Sequence, residues 1–398
     1  MSAGHPDPAT MNNDGRVLLV TPWYRPLKGG VAVVAERLHQ GLRRSGTRAE
    51  LLVLSEDRKP TDDPDHPHVW RFLIPSYVFA SLRPKAWLAF LYRAPTALWR
   101  LWKFIRQRDV TTVILIYPLD HAWIFVALRR VLGIRIITSL HGGDVKRFPG
   151  TSGRTLRLFR AVLNASDVVI LCADHLEDHL RRYHPAFSGT LRVIPNAVDT
   201  TRFKPPTTEP SSRGAALPPR GNSRMLLHIS NFHHVKRVPD IIRGFHQAQT
   251  AAGTRLVLLG DGEDRLRCQE MVAELGIADR VEFTGVQEDV IPYLHAADLF
   301  ILASEAEGAP LVLLEAMACG VPWISTPWGP ARDLPSGECG VTVPIGEPRA
   351  IARAIEELLC DPVRLDRMAR RARELAVERY GLDHYIAEHN RLLSAPQL

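Results

Sequence analysis

The chain of 398 residues is 45% hydrophobic, yet no uninterrupted apolar run approaches the roughly 18 residues that a membrane-spanning helix needs. Cysteine is scarce. The five present, Cys172, Cys268, Cys319, Cys339 and Cys360, are odd in number and widely spaced. No C-x-x-C pair or Cys/His cluster of zinc-ligand spacing occurs, which argues against a disulfide scaffold and a structural zinc, and for reduced, mostly buried thiols. Residues 1–15 carry two prolines, two aspartates and no apolar h-region. They read as a disordered tail rather than a secretory leader, so the expected location is cytoplasmic. Acidic residues are missing altogether between Val69 and Arg108.

What the chain does have is length and an uneven charge. Domains cluster at roughly 100–200 residues, so two cores are expected. Charged residues make up 23%, the balance of a soluble globular chain. Residues 1–198 hold 28 Lys and Arg against 16 Asp and Glu, whereas residues 199–398 hold 22 against 27. A net of +12 beside a net of −5 points to an anionic partner for the first half: nucleic acid, an anionic membrane face or a phosphorylated substrate.

The charge break coincides with KPPTTEPSSRGAALPPRGNSR, Lys204 to Arg224, whose five prolines mark a linker over 199–223. On each side short β-branched runs alternate with helical patterns, as in parallel-sheet domains. Before the linker, strands are expected at Arg16–Thr21, Ala49–Leu54, Val69–Ile74, Thr112–Tyr117, Arg135–Leu140, Val168–Cys172 and Leu191–Ile194, with helices such as Val31–Ser45 and His121–Leu132 between them. After it, strands are expected at Met225–Ile229, Leu256–Leu259, Val281–Thr284, Leu299–Ala303, Pro322–Thr326 and Val341–Pro344. The matching helices are Val238–Thr250, Glu263–Leu275, Asp289–Ala296, Pro310–Ala318, Pro348–Leu359, Pro362–Arg379 and Leu382–Leu393. The fold class is therefore α/β: two doubly wound Rossmann-like domains facing across a cleft, over 16–198 and 224–380, with a C-terminal helix over 381–398. Ligands of such sheets bind beyond the carboxyl ends of the strands.

Glu307 to Glu315, EGAPLVLLE, follows the strand LFILAS at such a place. Gly308, Ala309 and Pro310 are expected to form the first turn of the next helix, where free N–H groups and the dipole attract an anion. Proline at the first helical position sacrifices no needed donor. A diphosphate there would be flanked by Glu307 at a sugar and Glu315 at a ribose. The plain alternative is that Glu307 caps the dipole and Glu315 faces solvent. Gly29-Gly30 sits between the first strand and the first helix, where glycine lets backbone approach a phosphate or makes a tight turn. His141 ends the strand RIITSL, where histidine is often only a structural hydrogen-bonder.

The stretch ASEAEGAPLVLLEAMACGVP, Ala303 to Pro322, resembles the E-x7-E segment of the retaining family-4 glycosyltransferases of the GT-B fold. Further blocks follow in that family's order: Gly29-Gly30-Val31, HGGD at His141–Asp144, IPNAVDTTRF at Ile194–Phe203 and LGDGE at Leu259–Glu263. The resemblance runs from about Val17 to Leu393. It implies a metal-independent hexosyltransferase that uses a nucleotide-diphosphate sugar, UDP-sugar favoured, with no cofactor. His141 and Glu307 would be catalytic. Gly29, Gly30, Lys236, Gly308, Ala309, Pro310, Leu311 and Glu315 would hold the donor, and Val286 the base. Family members usually pair an arginine with the lysine five residues on. Aligned on Lys236, the arginine position is Asn231, with His233, His234 or Arg237 as candidates for the missing charge. The segment LHISNFHHVKRV is similar to the N-acetylglucosaminyl-malate synthases of bacillithiol biosynthesis. LGDGE reads as scaffolding, Asp144 as a turn cap, and Asp63-Pro64-Asp65 as a solvated loop rather than a metal motif.

Between Val69 and Arg108, eight basic residues are interleaved with ten aromatics, including half of the chain's eight tryptophans. Trp87, Arg93, Trp99, Arg100, Trp102 and Lys103 suit contact with an anionic membrane surface or a lipid-linked acceptor. A core helix with a solvated basic face is the plain alternative. Nucleic-acid binding lacks any accompanying motif. The partners expected are the donor, a glycan, lipid-linked or small hydroxyl acceptor, and the membrane surface. Two other functions compete: a nucleotide-sugar epimerase of the same architecture, and an inactive partner subunit supported by Asn231.

Overall fold

The computed structural model describes residues 15–25, 29–55, 61–63, 66–76, 84–146, 148–206, 224–250 and 253–395. All but Gly15 of the expected tail, and residues 207–223 of the expected linker, lie outside the described residues. The chain forms two compact units, one from the segment up to Pro195 together with the segment from Asp383, the other from Asn196–Leu382.

The first unit is built on β1 (Arg16–Thr21), β2 (Ala49–Leu54), β3 (Thr61–Asp62), β4 (Val69–Phe72), β5 (Val110–Ile116), β6 (Arg135–Leu140), β7 (Val168–Leu171) and β8 (Thr190–Val193). Their order is β3-β4-β2-β1-β5-β6-β7-β8. Every neighbouring pair is parallel except the antiparallel β3/β4 edge. Helices α1 (Gly30–Arg44), α2 (Pro84–Gln107), α3 (Trp123–Leu132), α4 (Gly143–Lys146), α5 (Gly153–Asn164) and α6 (Leu176–Tyr183) connect them. Strands covered on both faces need continuous apolar runs, and RVLLVT and RIITSL are buried almost end to end.

The second unit orders its strands β11-β10-β9-β12-β13-β14, all parallel. They are β9 (Met225–Ile229), β10 (Arg255–Leu259), β11 (Val281–Gly285), β12 (Leu299–Leu302), β13 (Trp323–Ser325) and β14 (Gly340–Thr342). Its helices are α7 (Val238–Gln247), α8 (Arg265–Glu274), α9 (Ile291–Ala296), α10 (Leu311–Ala318), α11 (Pro330–Asp333), α12 (Pro348–Leu359) and α13 (Pro362–Tyr380). The last helix, α14 (Leu382–Ser394), belongs by its contacts to the first unit. Arg135 donates to the carbonyls of Leu392 and Ala395 at 2.8 and 3.1 Å. Ile386 lies so close to α1 that a Cβ at Gly41 would fall 2.3 Å from it.

These are two doubly wound α/β units, as the alternation of strand and helix patterns predicts. β1, β2, β6 and β9 begin and end where expected, and the other expected strands move by one or two residues. The two-residue β3 has no sequence signal of its own. In each sheet the chain winds outward and then returns to the other side of its first strand, so β1/β5 and β9/β12 are the switch points where such sheets open a ligand crevice.

Candidate functional site

At the second switch point the loops leaving β9 and β12 are tied together. His228 is fully buried. Its Nδ1 donates to the Ile301 carbonyl at 2.8 Å, which leaves Nε2 to accept from the Ser230 hydroxyl at 2.7 Å. Burial pushes this imidazole down to about 4, so it serves as a neutral strut between the strands. Farther out, the Glu305 N–H donates to the Val235 carbonyl at 2.8 Å. Lys236 Nζ then meets Glu307 Oε1 at 2.5 Å, and Ser304 Oγ donates to the same oxygen at 2.8 Å. Ser304 is itself fixed, since its carbonyl accepts from Thr326 Oγ1 and Trp328 Nε1. Glu307 is thus a half-buried carboxylate held by an ammonium and a hydroxyl.

The turn after Glu307 is fixed from a distance. Asn196, buried in the block IPNAVDTTRF, donates its Nδ2 to the Ala309 carbonyl at 2.9 Å. Gly329 has φ 55, and a Cβ there would press Pro310 Cδ at 3.0 Å. Helix α10 begins at Leu311, one residue later than expected. Pro310 is extended (ψ 114) and is the cap, its carbonyl accepting the N–H of Leu313 at 3.2 Å. This is ordinary cap geometry, and it leaves the N–H groups of Leu311 and Val312 as the first without an intrahelical acceptor. Glu315 is buried one turn further on, which removes the solvent-facing reading.

Asn231 is exposed. Of the residues that could replace its expected charge, Arg237 is engaged by Asp240 at 2.6 Å and by Glu305 at 3.6 Å. His233 and His234 face Glu263 instead. The LGDGE turn is scaffolding in a literal sense: Gly260 has φ 125, and a Cβ on it would lie 1.7 Å from the Ser230 carbonyl. Val286 follows β11 and is exposed.

In the first unit, Gly29 caps α1 with extended backbone open to any residue, and a Cβ there would meet no described atom within 4 Å. Its fold does not require glycine. His141 leaves β6 with Nε2 3.0 Å from Ser139 Oγ. Asp144 accepts the N–H groups of His141 and Gly142 at 2.9 Å, so it is the turn cap, and burial pushes its carboxyl up to about 7 against those bonds. Sequence reasoning missed the aromatic pair at the ends of β1 and β5. Trp23 and Tyr117 lie 4.8 Å apart, and Tyr117 Oη sits where a Cβ on Gly143 would be. The solvated-loop reading fails for Asp63, which is buried and paired with Arg71 at 2.7 Å and His66 at 3.1 Å. Pro64 and Asp65 lie outside the described residues.

Helix α2, which carries most of the basic aromatic stretch, has one side in the core and one side exposed. Phe90, Ala94, Ala97, Leu101, Phe104 and Ile105 enter the core. The opposite face exposes Leu88 (67%), Leu91 (51%), Tyr92 (83%) and Trp99 (58%), beside exposed Lys85, Arg93 and Lys103. Trp87 is exposed and stacks on Phe90, while Trp102 is half-buried under Arg106. Lys103 Nζ lies 5.6 Å from the Trp99 ring. Among the described residues no helix is long and apolar enough to cross a membrane.

Comparison with known proteins matches residues 28–202 to the family described as Glycosyltransferase Family 4 and residues 214–375 to Glycosyl transferases group 1. The N-acetyl-alpha-D-glucosaminyl L-malate synthase of Bacillus anthracis is 31% identical over 72% of this chain and 75% of its own length. A GDP-mannose-dependent alpha-(1-6)-phosphatidylinositol monomannoside mannosyltransferase of Mycolicibacterium smegmatis is 30% identical over 72% of this chain and 77% of its own. Among solved structures, the sucrose-phosphate synthase of Thermosynechococcus elongatus superposes with a TM-score of 0.77 at 21% identity, covering 95% of this chain and 98% of that one. The Anabaena protein HepE in complex with UDP and glucose does so with a TM-score of 0.75 at 19% identity, covering 96% and 99%. The architecture is that of the GT-B glycosyltransferases. The epimerase reading gains no support from these relatives.

Proposed function

The chain belongs to the group 1 and family-4 glycosyltransferases, and from that premise we propose that it transfers a hexose or N-acetylhexosamine from a UDP-sugar to a hydroxyl acceptor with retention of anomeric configuration. The observation that carries the proposal is the cluster at the second switch point. There an ammonium, a carboxylate and the start of a helix converge on the segment with the family's E-x7-E pattern. Lys236 and the N–H groups of Leu311 and Val312 take the diphosphate, while Gly308, Ala309 and Pro310 shape the turn around it. Glu315 takes the ribose, the backbone near Val286 takes the base, and Asn231 lines the donor site without a charge. Glu307 orients the sugar, and the sugar and distal-phosphate roles of His141, Gly29 and Gly30 are those that the family resemblance implies.

The chemistry is a same-face displacement. The bond from C1 to the leaving phosphate oxygen breaks, the acceptor oxygen bonds C1, and the acceptor's proton passes to a phosphate oxygen. Negative charge grows on the diphosphate, where Lys236 and fixed N–H dipoles stabilise it without reorganising. The step needs no metal. UDP is favoured because HepE is described in complex with it, although the mycobacterial relative is named for GDP-mannose. The acceptor is a glycan or lipid-linked sugar at the inner face of the cytoplasmic membrane. The exposed apolar and cationic face of α2 supports this over a small acceptor such as the malate of the Bacillus relative.

Thermal unfolding with UDP, GDP, ADP and CMP, each with and without chelator, tests the donor site. A ligand at a hundred times its dissociation constant adds about 2.7 kcal/mol. UDP should raise the transition by about 3 °C, unchanged by chelator. If no nucleotide moves it and radiolabelled sugar nucleotides fail to bind, the proposal falls. An inverted product anomer would refute retention alone.

A further inference from the structure

Beside the proposed donor site lies a group of side chains that the transfer does not use. The two loops that follow β9 and β10 bring His233, His234 and Glu263 together, with one ligand atom from each within 4.8 Å of the others. His234 Nδ1 is 3.0 Å and His233 Nε2 3.6 Å from the same carboxylate oxygen, Oε1 of Glu263. Ligands about 2.0–2.1 Å from a tetrahedral zinc ion stand about 3.3 Å apart, so these two distances bracket the requirement. The imidazole centroids are 4.0 Å apart. Two imidazoles beside a carboxylate are a donor set that divalent transition metals take.

The loops are also held in place before any ion arrives. The N–H of Phe232 donates to the Asp261 carbonyl at 2.9 Å, and the N–H of Asp264 returns a bond to the Phe232 carbonyl at 2.8 Å. His234–Lys236 forms a single 3-10 turn. Imidazole nitrogens and one carboxylate select zinc-class ions over magnesium or calcium, which want oxygen. Ligation through His233 Nε2 puts that ring's proton on Nδ1. This gives up only a long 3.4 Å contact from the Val235 N–H.

We propose that His233, His234 and Glu263 form a binding site for one zinc-class divalent ion, distinct from the transfer chemistry. Two exposed ligands, a half-buried third and no fourth protein ligand in the cluster among the described residues make it an exchangeable site rather than a structural one.

The test is calorimetric titration of the full, chelator-treated chain with zinc alone, then magnesium alone. A Cys360→Ser background keeps the exposed thiol from competing. One equivalent of zinc should bind, with no heat from magnesium. The double variant His233→Ala/His234→Ala should bind at least about tenfold more weakly. His384→Ala, an exposed histidine elsewhere, should bind as the parent does. Equal melting of parent and double variant without zinc keeps a folding defect apart from loss of ligands. Absence of a binding heat in the parent, or an unchanged isotherm in the double variant, overturns the proposal. Because binding is read without donor or acceptor, its failure and that of the transferase reading are separable.

Discussion

Lys236 and Glu307 stand 71 residues apart in the chain and meet at 2.5 Å, so each side chain has a distinct and removable role. Lys236→Ala deletes a charge-assisted contact of about 1.5–3 kcal/mol. UDP affinity should fall about ten- to a hundredfold in titration calorimetry, and equal affinity would remove Lys236 from the donor site. Glu307→Gln keeps the shape and leaves Lys236 free of its counter-ion, so UDP binding should hold or tighten while turnover drops steeply. A turnover close to the parent's would reassign Glu307 to structure. At this scale the sequence reveals residue types and spacing but not partners. Asn196 stands in a block that resembles the family's, yet nothing in the block says that its amide reaches the Ala309 carbonyl 113 positions away. His228 reads as one more polar residue in LHIS until the fold buries it between Ile301 and Ser230.

The elements show a similar division. Helix α10 was legible because an apolar run follows Glu307 and Gly320 ends it. Its start moved by one residue because Pro310, held against Gly329, adopts an extended ψ and caps instead of joining the first turn. Helix α2 is the element with a surface of its own. Its outward Leu88, Tyr92 and Trp99 follow a helical spacing of four and seven, and no acidic residue interrupts them. On the membrane reading, Leu88→Ser/Tyr92→Ser/Trp99→Ser should abolish sedimentation with vesicles rich in anionic lipid and leave UDP-induced stabilisation intact. Binding equal to the parent's would return α2 to a solvated face. Neutral vesicles should retain the parent chain poorly, and salt should weaken the rest.

For the whole molecule, buried titratable groups set the response to acid. Burial pushes His39, His228 and His389 down to about 4, and His121 to about 3. These imidazoles are neutral when folded and take up protons on unfolding below about 6.5, so the stability they give at neutral pH is lost as pH falls from there to about 4. Asp144 acts in the opposite sense. Its raised carboxyl binds its proton more tightly when folded, so its contribution is present below about 3.8 and lost as pH rises through 7. It offsets one histidine, and for these five groups the unfolded chain binds more protons between pH 4 and 6.5. Urea midpoints should therefore drop as pH falls across that window. Asp144→Asn should steepen the drop, and a flat profile would contradict the burial of these histidines. Thiol chemistry tests the same cores. Cys360 is exposed and the other four cysteines are buried, with burial raising Cys268 and Cys319 to about 12. One thiol should label rapidly in the native chain and five after denaturation.

Local and periodic information determined the two wound sheets, the strand ends of β1, β2, β6 and β9, and the candidacy of Glu307 and Glu315, whereas Lys236 was singled out by the family resemblance alone. Continuous apolar runs, caps and spacing are carried by neighbours in the chain. Tertiary structure alone decided the pairing of Lys236 with Glu307, the burial of Asp63 and Glu315, and the return of α14 to the first unit. It also decided the meeting of His233 and His234 with Glu263. Each of these depends on which strands lie side by side at a switch point, and residues dozens of positions apart become neighbours only when the crossovers have placed their strands.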